Sequence, residues 1–515
     1  MDNPNKSQTV ESRAAKMIRE IFESGHPLTY IRSAEEQRVA RLLREAGRRM
    51  SGSAPIPVWT WSLTAGMRGE QGETSVHNRR EGAQAGATPR EALDFIVAHK
   101  EPAIFHLKDF HEPLRQSPEI RRRFRDLYEA CLDQWKFIVI SSAVRYLPEE
   151  IERDLVYFEL HLPDTIELVD FLRDEVKQRS ARGESADISE ATLNQLSGAL
   201  RGLTLDEARH AMRRAMAGSK ALGAGVLPAL LEEKRLLINR SGIIKFVADN
   251  TTIAEVGGLG GLKKWLLERR KLFESRDTLS ADIAPKGVLV MGIPGCGKSL
   301  CVKAIASHFG LPLYRIDMIE VFSGRHGKPE SAFVEACRML DEMAPSVVWF
   351  DEIEMGITST ESGGEQGRIF AFFLTWMQEK ARGVFVAATA NRIDLLPAEM
   401  IRKGRFDEVF FIDMPLDDER IEIFRIHLSR RGVDPSKFNL ERSMARSKNW
   451  TGAEIEQCVV SALTKARLKD HALTDEDLRD AAEEVIPLAR TMKEQIGHIR
   501  QWAFERAVRA SPRAV

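Results

Sequence analysis

The chain has 515 residues, 43% apolar and 29% charged; the length implies roughly three or four units rather than one hydrophobic core, and the composition excludes a disordered or fibrous protein. With 75 basic against 76 acidic side chains the formal net charge is -1, so no global field draws the chain to nucleic acid or an anionic membrane. Five cysteines without a CxxC pair read as reduced thiols, and the lack of a signal-peptide core or an apolar run near ~18 residues predicts a cytoplasmic protein with no membrane segment.

In chain order, a short apolar run at Leu28 to Ile31 precedes Val39, Leu42 and Leu43 at helical spacing. Ala65 to Arg90 is glycine-rich and polar with little to bury, and is expected to be a mobile surface loop. EALDFIVAHK then reads as helix, and AIFHL and FIVISS (Phe137 to Ser142) as strands, an alternation that predicts an α/β module with a largely parallel sheet. From Pro163 to about Leu230 the pattern is helical. The order then repeats: GVLVMG, PLYRID, SVVWFD, VFVAATA and VFFIDMP are strand-like between Lys286 and Asp413, and the chain is helical from Leu416 onward. Two halves with the same order of parts suggest a duplication. The expected domains are 1–162 (α/β), 163–240 (helical, with linker), 241–415 (nucleotide-binding α/β) and 416–515 (helical lid and C-terminal helices).

Gly292 to Ser299 matches GxxxxGK[ST] between a strand-like run and a helix, the setting that this motif requires. Its glycines let backbone N–H groups converge on phosphate at a helix N-terminus, Lys298 neutralises phosphate oxygens, and the Ser299 hydroxyl is a Mg2+ ligand. Pro294, Gly295, Cys296, Gly297 and Leu300 complete the expected nucleotide contacts. SVVWFDEIE places Asp351 and Glu352 at the C-terminal edge of a buried strand, Asp351 for metal and Glu352 as the base that activates water. Asn391 ends another strand, where its amide either orients that water or simply forms a turn. Arg402 and Arg405 read as solvated unless a neighbouring subunit brings nucleotide to them.

VGGLGGLK (Val256 to Lys263), GIPGCGKS, WFDEIE, ATAN, RKGRFDE and WTGAEIE stand in the order and spacing of the AAA ATPases. The sequence resembles the branch containing FtsH-type proteases, proteasomal ATPases and katanin. The resemblance implies ATP and Mg2+ as cofactors, Val256 and Gly257 flanking the adenine, and Asn391 as first sensor. It also implies Gly452 and Ala453 in place of a second sensor and His427 as a lid contact to the nucleotide. Arg402 and Arg405 become arginine fingers of a homo-oligomeric ring, usually a hexamer; such a finger contributes on the order of 10^3 to 10^5 in rate. TYIRSAEEQRVARLLREA, VWTWSLTAGM, IFHLKDFHEPL, FFLTWMQEK and PLARTMKEQIGHIRQWA extend a closer resemblance over about residues 28 to 505. It is to the AAA family named after hypothetical chloroplast open reading frame forty-six, found in plastids, cyanobacteria and other bacteria.

Where threading AAA rings carry an apolar pore grip, this sequence has Arg325-His326-Gly327 followed by Lys328, which is either a solvated loop or a basic ring suited to acidic polypeptide or single strands. Against SVVWFDEIE, the strand AIFHLKD puts Lys108 at the place of Asp351 and Asp109 at that of Glu352; Val144 falls at Asn391, and no glycine loop follows Tyr30-Ile31-Arg32. The expected fold is an AAA P-loop module with helical lid, preceded by a degenerate AAA-like α/β module that does not bind nucleotide. The expected function is a Mg2+-dependent ring ATPase that remodels an unknown macromolecule. An ATP-gated switch or scaffold is the alternative, and a nucleic-acid translocase, resting only on the basic segment, is not favoured.

Overall fold

Strands buried on both faces need near-continuous apolar runs, and such runs condense here into two sheets. The computed structural model describes residues 11–50, 55–69, 88–183, 189–217, 222–239, 242–249, 251–276, 278–280, 282–355, 365–392, 395–402 and 404–511. It divides into two compact units, Met1–Leu230 and Leu231–Val515, with the border inside the helix Leu227–Ile238.

The first unit holds β1 (Leu28–Arg32), β2 (Val58–Ser62), β3 (Gly66–Arg68), β4 (Ala103–Lys108), β5 (Lys136–Ser142) and β6 (Val156–Glu159), in the order β3-β2-β4-β5-β1-β6. All pairs are parallel except β2 with β3. Strand alternation sorts the core onto two faces. Tyr30, Phe105, Leu107 and Ile140 pack on one face, and Ile31, Ile104, Phe137 and Val139 on the other beneath the helices Arg13–Glu23 and Glu36–Met50. Helices Thr165–Ala181, Glu190–Leu200 and Leu205–Ala215 follow, each started by a side-chain cap from Asp164, Ser189 or Thr204. The expected loop Ala65 to Arg90 is corrected at both ends. Gly66 (φ 65°) turns the chain into β3, which is anchored by buried Met67, and Thr88 opens a capping box for the helix Pro89–Ala98. Residues 70–87 lie outside the described residues.

In the second unit β7 (Ile244–Val247), β8 (Gly287–Gly292), β9 (Leu313–Ile316), β10 (Ser346–Phe350), β11 (Val384–Ala390), β12 (Glu408–Ile412) and β13 (Val508–Arg509) lie in the order β13-β12-β8-β11-β10-β9-β7. The five expected strands are β8 to β12. Two unexpected short strands cover the edges: β7 pairs antiparallel with β9, and β13 pairs with β12 near the C-terminus of a region expected to be wholly helical. Counting only the five long parallel strands, β1-β2-β4-β5-β6 and β8-β9-β10-β11-β12, both sheets have the same neighbour order, fifth, first, fourth, third, second. Among the described residues no helix is long and apolar enough to cross a membrane.

Candidate active site

The fully buried strand β8 delivers the chain into Ile293 to Gly297, and the helix Lys298–Phe309 starts directly behind it. Gly295 (φ 78°) and Gly297 (φ 90°) take left-handed conformations that other residues adopt only under strain. A Cβ on Gly295 would also lie 3.2 Å from both Ala453 Cβ and Thr451 Oγ1. Lys298 is buried, and its Nζ donates to the carbonyls of Gly292 and Ile293, both at 2.9 Å. Burial lowers the lysine from its ordinary 10.5 to about 8, against the pull of Glu354, Glu352 and Asp351. Burial likewise pushes the Cys296 thiol up to about 12.

Every residue expected to hold the nucleotide lines one cavity of about 460 Å3: Val256 and Gly257, the loop Pro294 to Leu300, and His427, Gly452 and Ala453 from the lid helices. Glu352 and Asn391 line it too. The cavity joins the α/β and lid parts of this unit, and Ala453 N donates to Gly295 O at 2.9 Å across that join. Ile423, Ile426 and Arg430 also reach the cavity and were not anticipated. They share one face of the helix Asp417–Arg430 with His427, so helical spacing from that histidine would have found them. Ile423 closes on Gly257, where a Cβ would stand 2.5 Å from its Cγ1. Burial keeps His427 below the ordinary imidazole range despite Glu456 at 3.7 Å.

Asp351 and Glu352 sit where β10 leaves the sheet. Glu352 has φ 46°, and its N–H donates to Thr389 Oγ1 at 3.1 Å; the same hydroxyl donates to Asp351 Oδ1 at 2.8 Å. Asn391 Nδ2 donates to Glu352 Oε1 at 2.7 Å. Buried Glu354 accepts from the backbone N–H groups of Asn391 (2.8 Å) and Arg392 (3.0 Å). Thr389 and Glu354 escaped the sequence reading because their roles depend on cross-strand neighbours. A buried ammonium, a loop whose glycines leave its backbone open, and a helix N-terminus fit the triphosphate of ATP. The hydroxyl of Ser299 and the carboxylate of Asp351 are the hard oxygen donors that Mg2+ prefers.

The family described as ATPase family associated with various cellular activities (AAA) matches residues 288–414. The SpoVK-like AAA ATPase N-terminal domain matches 14–160, and the second domain of that group matches 167–241. The AAA domain-containing protein ycf46 of Pyropia yezoensis is 33% identical over 493 residues, covering 94% of this chain and 96% of that protein. The chain belongs to the ycf46 family of AAA proteins. Its activity is that of an ATPase. The ycf46 protein of Guillardia theta is 32% identical over 95% of this chain and 94% of its own. The proteasome-activating nucleotidase of Saccharolobus islandicus is 29% identical over 50% of this chain and 68% of its own.

Arg402 and Arg405 stand apart from the cavity of this ycf46-family chain. Arg402 is exposed, and Arg405 Nη1 donates to Glu399 O at 2.9 Å. Arg325, His326 and Lys328 lie exposed between the helices Met318–Phe322 and Pro329–Glu342, with Arg325 3.6 Å from Glu320 and Phe322 half-buried.

The matching place in the first unit is built differently. Only Ser33, Ala34 and Glu35 separate β1 from the helix Glu36–Met50, leaving no phosphate loop. At the exit of β4, Asp109 (φ 49°) repeats the backbone of Glu352, so Lys108 takes the position of Asp351; its Nζ is 2.8 Å from Glu36. The ladders begin Ala103↔Lys136 and Ser346↔Val384, a register that puts Ala143, not Val144, at the position of Asn391. Glu35 accepts from Leu205 N at 2.6 Å, joining the sheet side to the helix Leu205–Ala215. Arg38 is buried, bonded to both Glu167 oxygens (2.8 and 2.9 Å) and to Glu35 (2.9 Å).

Proposed function

We propose that this chain is a Mg2+-dependent ATPase acting as a homo-oligomeric ring, of hexameric type, that couples hydrolysis to remodelling of a macromolecule. What supports this reading is that Glu352, Asn391, the loop Pro294 to Leu300 and His427, Gly452 and Ala453 line one cavity, while Arg402 and Arg405 stand outside it, where a ring would offer them to another copy. Lys298 and the helix N-terminus bind the phosphates. Glu352 takes a proton from water as its oxygen attacks the γ-phosphorus, the bond to the β,γ-bridging oxygen breaks, and ADP and phosphate result. Asn391 keeps the Glu352 carboxylate oriented. Ser299 and Asp351 would hold Mg2+, which when bound would supply charge neutralisation for the phosphate oxygens.

The first unit is, on this reading, an AAA-like module that has lost its nucleotide site and serves assembly or partner recognition. Its equal strand order supports the kinship, and the missing loop and the Lys108–Glu36 pair support the loss. The exposed basic segment Arg325 to Lys328 favours an acidic polymer as substrate, and stimulation of turnover by acidic polypeptide or by single strands separates those two classes.

Complementation tests the ring. Glu352→Gln should bind ATP and turn over about 10^2 to 10^4 times more slowly. Arg405→Ala should bind ATP and lose about 10^3 or more. Mixing the two variants should restore turnover, because neighbouring copies then combine an intact Glu352 with an intact Arg405; mixtures as inactive as their parents would overturn shared sites.

A further inference from the structure

We propose that Thr389, assisted by Glu354, is a positioning residue for hydrolysis, setting the metal-side carboxylate and the base with one hydroxyl. This rests on the roles given above to Asp351 and Glu352. A threonine hydroxyl has one proton to give. At 2.8 Å from Asp351 Oδ1 and 3.5 Å from Phe350 O, Thr389 gives it to the carboxylate, while its lone pair receives the N–H of Glu352 at 3.1 Å. One buried side chain on β11 therefore ties together two consecutive residues leaving β10. The other oxygen of Asp351 lies 3.9 Å from Arg315 Nη1 on β9, so the carboxylate is gripped from both neighbouring strands.

Glu354 makes the reciprocal tie, from the β10 side to the β11 exit. It is buried, one oxygen accepts both N–H groups of Asn391 and Arg392, and the other has no hydrogen-bond partner among the described residues, so its side-chain bonds there go to the backbone that carries Asn391. The first unit is an internal control. Ser141 stands at the register position of Thr389, but its hydroxyl bonds His106 Nε2 at 2.7 Å, and Asp109 N donates to the Ser141 backbone carbonyl instead. The brace exists only where acids must be aimed.

The test is Thr389→Val, which keeps the shape and strand preference but removes the hydroxyl, beside Thr389→Ser, which restores it. Orienting partners of ligands typically contribute about 10- to 100-fold, so Thr389→Val should lose that much kcat and need more Mg2+ for half-maximal turnover. Its affinity for ATP in Mg2+-free buffer and its Tm should stay unchanged, and Thr389→Ser should recover most of the loss. If Thr389→Val does not fold, Glu354→Leu should lose kcat with Mg2+-free ATP affinity kept, and Glu354→Gln, which retains an acceptor oxygen, should recover it. Turnover of Thr389→Val near the unmodified rate, or Mg2+-free ATP affinity falling in step with kcat, would overturn the brace. Asp351→Asn and Glu352→Gln run alongside separate the two claims: activity in those variants would remove the underlying assignment instead.

Discussion

Lys108 and Asp351 leave the third strands of two sheets with the same strand order, one residue before a left-handed Asp109 or Glu352. The backbone is alike and the charges are exchanged. In the second unit a lysine, Lys298, begins the helix behind the first strand and faces acids at the exit of β10. In the first unit an acid, Glu36, begins the corresponding helix and faces Lys108. The first arrangement leaves positive charge and backbone N–H groups to be met by an anion; the second satisfies itself. The joins between sheet and lid differ in the same sense. The second unit has a cavity there, and the charge that crosses beside it, Arg430 with Glu255 at 2.6 Å, is partly exposed, whereas in the first unit Glu35, Arg38 and Glu167 fill the join with buried charge. The comparison teaches that one strand order can present an open, charged cavity at its strand ends in one unit and internally paired charges there in the other.

Breaking those internal contacts should show what they hold. Arg38→Met would leave Glu35 and Glu167 buried without their main partner and should cost about 3 to 5 kcal/mol, read as early loss of hydrogen-exchange protection in β1 and β5 under urea. Unchanged protection would show that the buried ions are incidental. In the second unit the charge should be sensitive to pH. The folded, nucleotide-free protein releases the Lys298 proton near pH 8, while the unfolded chain keeps it to about 10.5. Stability without nucleotide should therefore rise with pH in that window, with a slope approaching about 1.4 kcal/mol per pH unit, because the unfolded chain binds more protons. ATP affinity should fall, approaching tenfold per pH unit above about 8, and titration calorimetry from pH 7 to 9.5 would check it. The smallest effect belongs to Lys108→Ala. Its pair with Glu36 is partly exposed, so the change should cost only about 0 to 1 kcal/mol and leave turnover untouched.

Much of the candidate site was legible because the residue types suited to phosphate, metal and base stand at fixed offsets within single segments such as Pro294 to Leu300, and one cavity gathers that loop with Glu352 and Asn391. The strands β8 to β12 were legible for a similar reason, being runs of apolar residues long enough to cross a buried sheet. What stayed hidden depends on register. Thr389 and Glu354 matter only through the pairing of β10 with β11, and Ala143 rather than Val144 matches Asn391 only once the ladder is known. β7 and β13 are too short to carry a periodic signal, and β3 hid in a glycine-rich stretch because one buried methionine, Met67, anchors it.

Counting bound nucleotide tests the contrast between the two units most directly. In the Glu352→Gln chain, where bound ATP should not be consumed, equilibrium dialysis with labelled ATP should find one molecule per chain, and adding Lys298→Ala should remove it. Two molecules per chain, or binding that survives Lys298→Ala, would contradict a single nucleotide site in the second unit.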